Sequence, residues 1–231
     1  MAAGSLRVFH PIKLASLEEL HLSFCDILEC FPEILRKMEN LTFLYIYGTP
    51  IKELPSSIQN LTRLQTIKLS SGGFIRLPNN IFVMKELRCF HVDKCEVLLL
   101  PGENEGEEQM SSLMFENTFD FRKLSQSNMS AKFLLLSGCK NLEKIKGFPL
   151  NIEELIVESC GSLKDLDLIL PPICTEECHS LSKFKLNGYW VLEEIKLIPS
   201  IIGIFSARYC RFLSFECRSM SLNNVGIYLY I

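Results

Sequence analysis

The residues best equipped for chemistry lie together in Cys174-Thr-Glu-Glu-Cys178-His179, where two thiols and an imidazole fall within six positions. Sulfur and imidazole at such spacing are transition-metal ligands, but a tetrahedral zinc site takes four, normally from two such halves. No second half is present, so an irregular loop after Pro171-Pro172 is the better reading and no metal is expected. No G-x-x-x-x-G-K-S/T phosphate loop occurs, so no nucleotide or other cofactor is expected in this chain. Nor is there a nucleophile–base constellation, and the sequence reads as non-enzymatic. Asn40-Leu-Thr42, Asn60-Leu-Thr62 and Asn128-Met-Ser130 fit the glycosylation sequon, which has meaning only in a secreted chain. The N-terminal stretch lacks the apolar core and basic lead of a signal peptide, so the sequons read as chance and the cytoplasm, with the nucleus as second compartment, is expected.

Composition narrows the partners. The 231 residues are 48% hydrophobic and 22% charged with a formal net charge of -3, enough for a sizeable core and without the basic field that nucleic acid requires. The longest apolar runs fall well short of the roughly 20 residues that cross a bilayer, so no membrane contact is expected. Ten cysteines are too few for a disulfide scaffold. Glu103, Glu105, Glu107 and Glu108 read as a solvated loop, with an electrostatic contact to a basic partner as the functional alternative.

The elements that must position any site follow from 37 leucines, about one residue in six. Leu17-Glu-Glu-Leu20-His-Leu22-Ser-Phe-Cys25-Asp-Ile-Leu28 sets a template, L-x-x-L-x-L-x-x-C-x-x-L. Its second position recurs at Leu20, Leu44, Ile67, Phe90, Leu134, Leu155, Phe184 and Phe205, giving eight copies at intervals of 24, 23, 23, 44, 21, 29 and 21. Most intervals are one leucine-rich repeat long. The 44 predicts two turns, one of them degenerate and disturbed by the acidic loop.

Alternation at L-x-L puts two apolar side chains on one face of a short strand and the residue between them on the other. The expected fold is therefore an α/β repeat, a curved leucine-rich-repeat solenoid. Parallel strands line its concave face, and irregular, 3-10 or short helical segments form its convex side. Cys25, Cys95, Cys139, Cys160 and Cys210 are expected to form an interior column, with Thr49 and Gly72 in the same place in their turns. Leu54-Pro55-Ser-Ser-Ile58 and Leu77-Pro78-Asn-Asn-Ile81 place proline on the convex return, where no ladder donor is needed.

Ile51-Lys-Glu-Leu54-Pro55-Ser-Ser-Ile58-Gln-Asn-Leu61-Thr-Arg-Leu64 and Leu134-Leu-Leu136-Ser-Gly-Cys139-Lys-Asn-Leu142 resemble the repeat region of plant intracellular immune receptors. The nearest subclass carries an N-terminal TIR domain and a nucleotide-binding domain. Leu98-Leu-Leu-Pro101 running into Glu105-Gly-Glu-Glu-Gln109, with Cys217-Arg-Ser-Met220, is similar to the last repeats of legume members. The resemblance covers roughly residues 14–222. It implies a recognition or autoinhibitory module of plant defence signalling. The implied partners are proteins: a pathogen effector, a guarded host protein, or neighbouring receptor domains. Any nucleotide would sit in an upstream domain. An extracellular repeat receptor or inhibitor fragment is the alternative.

The expected division is a lead-in over 1–13, repeats over 14–100, the acidic loop and degenerate repeat over 101–128, repeats over 129–216, and the start of a truncated post-repeat segment over 217–231. Because the leucines are committed to the core, recognition falls to outward strand residues. The candidates are His21, Phe43, Tyr45, Tyr47, Lys68, Arg88, His91, Ile156, Lys185, Arg208 and Tyr209, with Leu135, Ser206 and Lys94 beside them. His21 and His91 lie about three turns apart, too far for an acid–base pair. Trp190 reads as a packing residue at a repeat edge. Terminal repeats ordinarily carry polar caps, and the apolar stretch Val225–Ile231 does not read as one.

Overall fold

The computed structural model describes residues 16–71, 73–78, 80–81, 84–94, 97–99, 118–120, 131–147, 151–168, 181–188, 192, 202–210 and 226–230. Cys95, Gly72, the Cys174–His179 cluster, the acidic loop, Asn128 and Trp190 lie outside the described residues.

Short strands recur along the chain: β1 Glu19–Ser23, β2 Phe43–Tyr47, β3 Thr66–Ser70, β4 Phe74–Arg76, β5 Cys89–Asp93, β6 Val97–Leu99 and β7 Thr118–Asp120. They continue as β8 Phe133–Ser137, β9 Lys144–Lys146, β10 Glu154–Glu158, β11 Asp165–Asp167, β12 Lys183–Asn187, β13 Ile204–Arg208 and β14 Gly226–Tyr230. The five-residue strands form one nine-stranded sheet in the order β1-β2-β3-β5-β8-β10-β12-β13-β14, parallel throughout. The three-residue strands pair separately as β4-β6 and β7-β9-β11. This is a leucine-rich-repeat solenoid, whose turns bury their apolar residues only against one another.

Register follows the template. Leu44, Ile67, Phe90, Leu134, Leu155, Phe184 and Phe205 stack strand to strand beneath the sheet, each no more than 1% exposed. Removal of each from water stabilises the fold by about 1.5–3 kcal/mol. At Leu54-Pro55 the return leg tightens into a 3-10 turn, Ser56–Asn60, with Ile58 buried beneath it. Turns are stitched by side chains as well. Asn60 Nδ2 donates to the Ile34 carbonyl at 2.6 Å, Asn80 Nδ2 to that of Ser56 at 2.8 Å, and the Ile34 amide donates to Ser57 Oγ at 3.0 Å.

Seven corners after long strands are built alike, and leucine spacing does not announce how. Phe24, Gly48, Lys94, Gly138, Ser159, Gly188 and Tyr209 each follow a strand directly with φ between 53° and 81°. That left-handed corner aims the residue's N–H at the next turn. Phe24 donates to the Tyr47 carbonyl, Gly48 to Ser70, Lys94 to Ser137, Gly138 to Glu158, Ser159 to Asn187 and Gly188 to Arg208, at 2.6–2.9 Å. Phe24, Lys94 and Ser159 each lie over a glycine in the following turn. A Cβ on Gly48 would meet the Phe24 ring at 2.8 Å, and one on Gly138 would meet Lys94 Cγ at 3.2 Å and its backbone N at 3.4 Å.

The corner also carries the chain into the expected cysteine column. Cys139, Cys160 and Cys210 are buried, and Cys25, in the first turn, is half-buried. Each thiol donates to the last carbonyl of its own strand, at 3.4–3.7 Å, on Ser23, Ser137, Glu158 and Arg208. Three of these carbonyls also accept the preceding corner amide. Thr49 holds the same place, 2% exposed, with no partner for its hydroxyl.

Two stretches of the expected division are placed in the sheets. β5 pairs directly with β8, Phe90 opposite Leu134, so the 44-residue interval adds no strand to the long sheet. Its described part, β7, joins β9 in the short sheet. Only five residues per turn must keep the ladder, and the acidic segment 101–109 offers no L-x-L pair to extend it. At the other end, Gly226–Tyr230, read as part of a post-repeat segment, pairs in register with β13 as the ninth strand. Its apolar alternation is strand pattern.

The corner and the column predict opposite responses. Gly138→Val imposes a side chain at φ 62° and should lower stability by about 2 kcal/mol. Thr49→Val removes the orphan hydroxyl and should raise it by about 1 kcal/mol. Urea midpoints of both variants beside the parent chain check this; shifts of the same sign contradict the assignment.

Candidate functional site

Alternation divides each long strand into buried second and fourth residues and outward first, third and fifth residues, a pattern shared by β2, β3, β5, β10 and β12. Stacked in register, the outward residues form three files across the sheet. The central file reads His21, Tyr45, Lys68, His91, Leu135, Ile156 and Lys185, then Ser206. Six of the candidates therefore occupy one continuous file. Ser206 departs from expectation. It is 5% exposed, a short side chain on β13 between β12 and β14, and offers little to a partner.

The N-terminal third is aromatic. His21 stacks on Tyr45 at 4.4 Å between centroids, and Phe43 and Tyr47 flank Tyr45 along β2 at 6.2 Å each, with nearly parallel rings. Lys68 Nζ sits 5.4 Å from the Tyr45 centroid. Cation–π contact holds that ammonium against the sheet without neutralising it.

The remaining candidates lie apart. Arg88 is exposed immediately before β5, and its carbonyl accepts the amides of Lys132 and Phe133. Arg208 ends β13 in the third outward file. Tyr209 and Lys94 are exposed corner residues, at the margin of the face.

Of the two outer files the sequence reading took only Phe43, Tyr47 and Arg208, since it relied mainly on the residue between paired leucines. The first holds Cys89, Phe133, Glu154 and Lys183, and the third holds Ser70, Asp93, Ser137, Glu158 and Asn187. Carrying the alternation two residues either way would have found them. They are mutually engaged: Lys183 Nζ donates to Glu154 at 2.8 Å, Asn187 Nδ2 to Glu158 at 2.8 Å, and the Ser70 hydroxyl to Asp93 at 3.4 Å. At the edge, His21 and Glu19 pair at 3.0 Å.

The middle of the face is partly withdrawn from water. Burial pushes the Cys89 thiol above its ordinary pKa against the opposing pull of Lys68, so it stays protonated at neutral pH and is a poor nucleophile. Burial likewise raises the Tyr47 hydroxyl, with Tyr45 and Asp93 adding to it. His91 is lowered, chiefly by burial; Asp93 and Glu158 act upward and Lys68 downward. Among the described residues no group of three or more His, Cys, Asp or Glu side chains could hold a metal ion. No helix among them is long and apolar enough to cross a membrane.

Residues 13–216 match the family described as the leucine-rich repeats of RPS4B-like disease resistance proteins. The chain is 29% identical over 199 residues to disease resistance-like protein DSC1 of Arabidopsis thaliana, covering 83% of this chain and 16% of that one. It is 30% identical over 226 residues to the Arabidopsis protein SUPPRESSOR OF npr1-1, CONSTITUTIVE 1, covering 94% and 14%. Against TMV resistance protein N of Nicotiana glutinosa it is 30% identical over 195 residues, covering 71% and 16%. The chain thus spans about one sixth of the length of such relatives. No solved structure matches.

The lowered His91 gives a pH prediction. The unfolded chain takes up this proton at higher pH than the folded one. The contribution to stability is therefore intact above 6.5, the ordinary value, and is lost as pH falls from there toward the lower folded value. His91→Gln should lose less stability than the parent between pH 7 and pH 5.5 in urea titrations. Identical losses contradict the assignment.

Proposed function

Because the chain belongs to the leucine-rich-repeat family of RPS4B-like disease resistance proteins, we propose that it is the sensor segment of a plant immune receptor acting inside the cell, in the cytoplasm or nucleus. Repeat solenoids of this class are protein-interaction modules, and the long-sheet face is the proposed contact surface. The observation that carries the reading is the central file, in which Tyr45, Lys68, His91, Leu135, Ile156 and Lys185 are half-buried in register, with Tyr45 stacked among His21, Phe43 and Tyr47. Aromatic side chains fixed by stacking lose little conformational freedom on binding, which is why they dominate interface energetics.

The proposed contact set is His21, Phe43, Tyr45, Tyr47, Lys68, His91, Ile156 and Lys185 on the face, with Arg88, Arg208 and Tyr209 at its margins. The partner is a protein: a pathogen effector, a guarded host protein, or another domain of the same receptor. Recognition would act by differential contact, since a ligand shifts a receptor equilibrium only by the difference in its affinity for the two states. The chain itself carries no catalytic step. The protonated Cys89 and the separation of His21 from His91 by three strand spacings support that view. Asn60, whose amide is spent on the Ile34 carbonyl, speaks against the extracellular alternative.

Grafting the outward residues of β2, β3, β5, β10 and β12 onto the matching strands of a related full-length receptor should transfer its response specificity. In the grafted receptor Tyr45→Ala should weaken partner capture by at least about tenfold. An unchanged response specificity sinks the reading. Hydrolase and NAD-cleavage assays on the chain should be blank.

A further inference from the structure

The charges on the long-sheet face are unevenly satisfied. Its carboxylates are engaged by neighbours: Glu19 by His21, Asp93 by Ser70, Glu154 by Lys183 and Glu158 by Asn187. Among the described residues, Lys68 and Lys185 in the central file make no ion pair, although both are half-buried. Their file neighbours are Tyr45 and His91 for Lys68, and Ile156 and Ser206 for Lys185, none of them an acid. Between the two ammonium groups the file holds His91, uncharged at neutral pH, and the apolar Leu135 and Ile156, with Phe133 exposed beside them. The pattern along the file is cation, apolar, cation.

Register converts that pattern into a ruler. β3 and β12 are separated by four strand spacings, through β5, β8 and β10, or about 19 Å at roughly 4.8 Å each. An extended segment crossing the strands covers that distance in about six residues. Residues i, i+2, i+4 and i+6 of such a segment face one way. From this geometry we infer that the face takes an extended acidic segment of a protein partner, with carboxylates at i and i+6 over Lys68 and Lys185 and apolar side chains at i+2, between His91 and Leu135, and at i+4, between Leu135 and Ile156. The inference rests on the recognition reading above and specifies its partner. A lysine that makes no ion pair of its own keeps its ammonium free to attract an incoming carboxylate. The apolar centre supplies the discrimination against polyanions that charge alone lacks.

The test uses the full chain and a fluorescein-labelled peptide, Ser-Glu-Ser-Val-Ser-Val-Ser-Glu-Ser, read by anisotropy at physiological salt. The expected result is at least tenfold tighter binding than to the peptide with both Glu changed to Lys. Weaker binding is also expected when both Val become Ser. Lys68→Glu and Lys185→Glu should each weaken the Glu peptide at least fivefold, and the double variant should prefer the Lys peptide. Lys68→Gln and Lys185→Gln provide the same comparison with less perturbation of the fold. Absence of a Glu-over-Lys preference overturns the inference, as does a polyanion such as heparin binding with the same dependence on both lysines. If the grafted face still transfers the response while the peptide preference is absent, only the acidic-segment inference falls. If the graft fails, the recognition reading falls with it.

Discussion

Every turn of this chain depends on the main-chain donors of one strand finding acceptors on the next. A parallel ladder leaves no alternative within the turn itself, since each strand of the long sheet is five residues long and its sequence neighbour is a return leg. The left-handed corner extends the ladder by one bond beyond the strand end and swings the following residue into the core, where a cysteine thiol can reach the same carbonyl. Tolerance on the other side of the molecule follows from this. The interval between β5 and β8 can carry a long acidic segment because the ladder asks only that Cys89–Asp93 and Phe133–Ser137 remain in register.

Legibility in the sequence tracks which interactions are periodic. L-x-L spacing specified the buried file and its register, because burial on one face of a strand admits no one-residue slip. It could not specify which strands are neighbours. The 44-residue interval brings β7 to the short sheet and no strand between β5 and β8. Gly226–Tyr230 went unread because Asn224 stands where the template has its first leucine. The corner was visible only at Gly48, Gly138 and Gly188; Phe24, Lys94, Ser159 and Tyr209 adopt the same conformation without any residue preference for it. Pairs such as Glu154 with Lys183, 29 residues apart, follow from register alone.

The division of labour between the two sides of the sheet explains the character of the site. Inward residues are exchangeable aliphatics and phenylalanines whose task is volume. Outward residues differ from turn to turn, from the stacked rings of β2 to the ion-paired β10 and β12. A surface assembled one rung per turn is an extended strip. It has a length, a register and a sequence of chemistries, the properties that suit another polypeptide as ligand.

All of this requires that the ladder run unbroken across the β5–β8 junction, since a gap there would divide the face between Lys68 and Lys185. Site-resolved amide hydrogen exchange measures it directly. The amides of Lys94, Lys132 and Phe133, bonded across the junction to Ser137 and Arg88, should exchange as slowly as those of Gly48, Arg88 and Cys89 in the uninterrupted turns. Rapid exchange at those three amides, with protection retained on either side, would show two separate ladders and contradict the account.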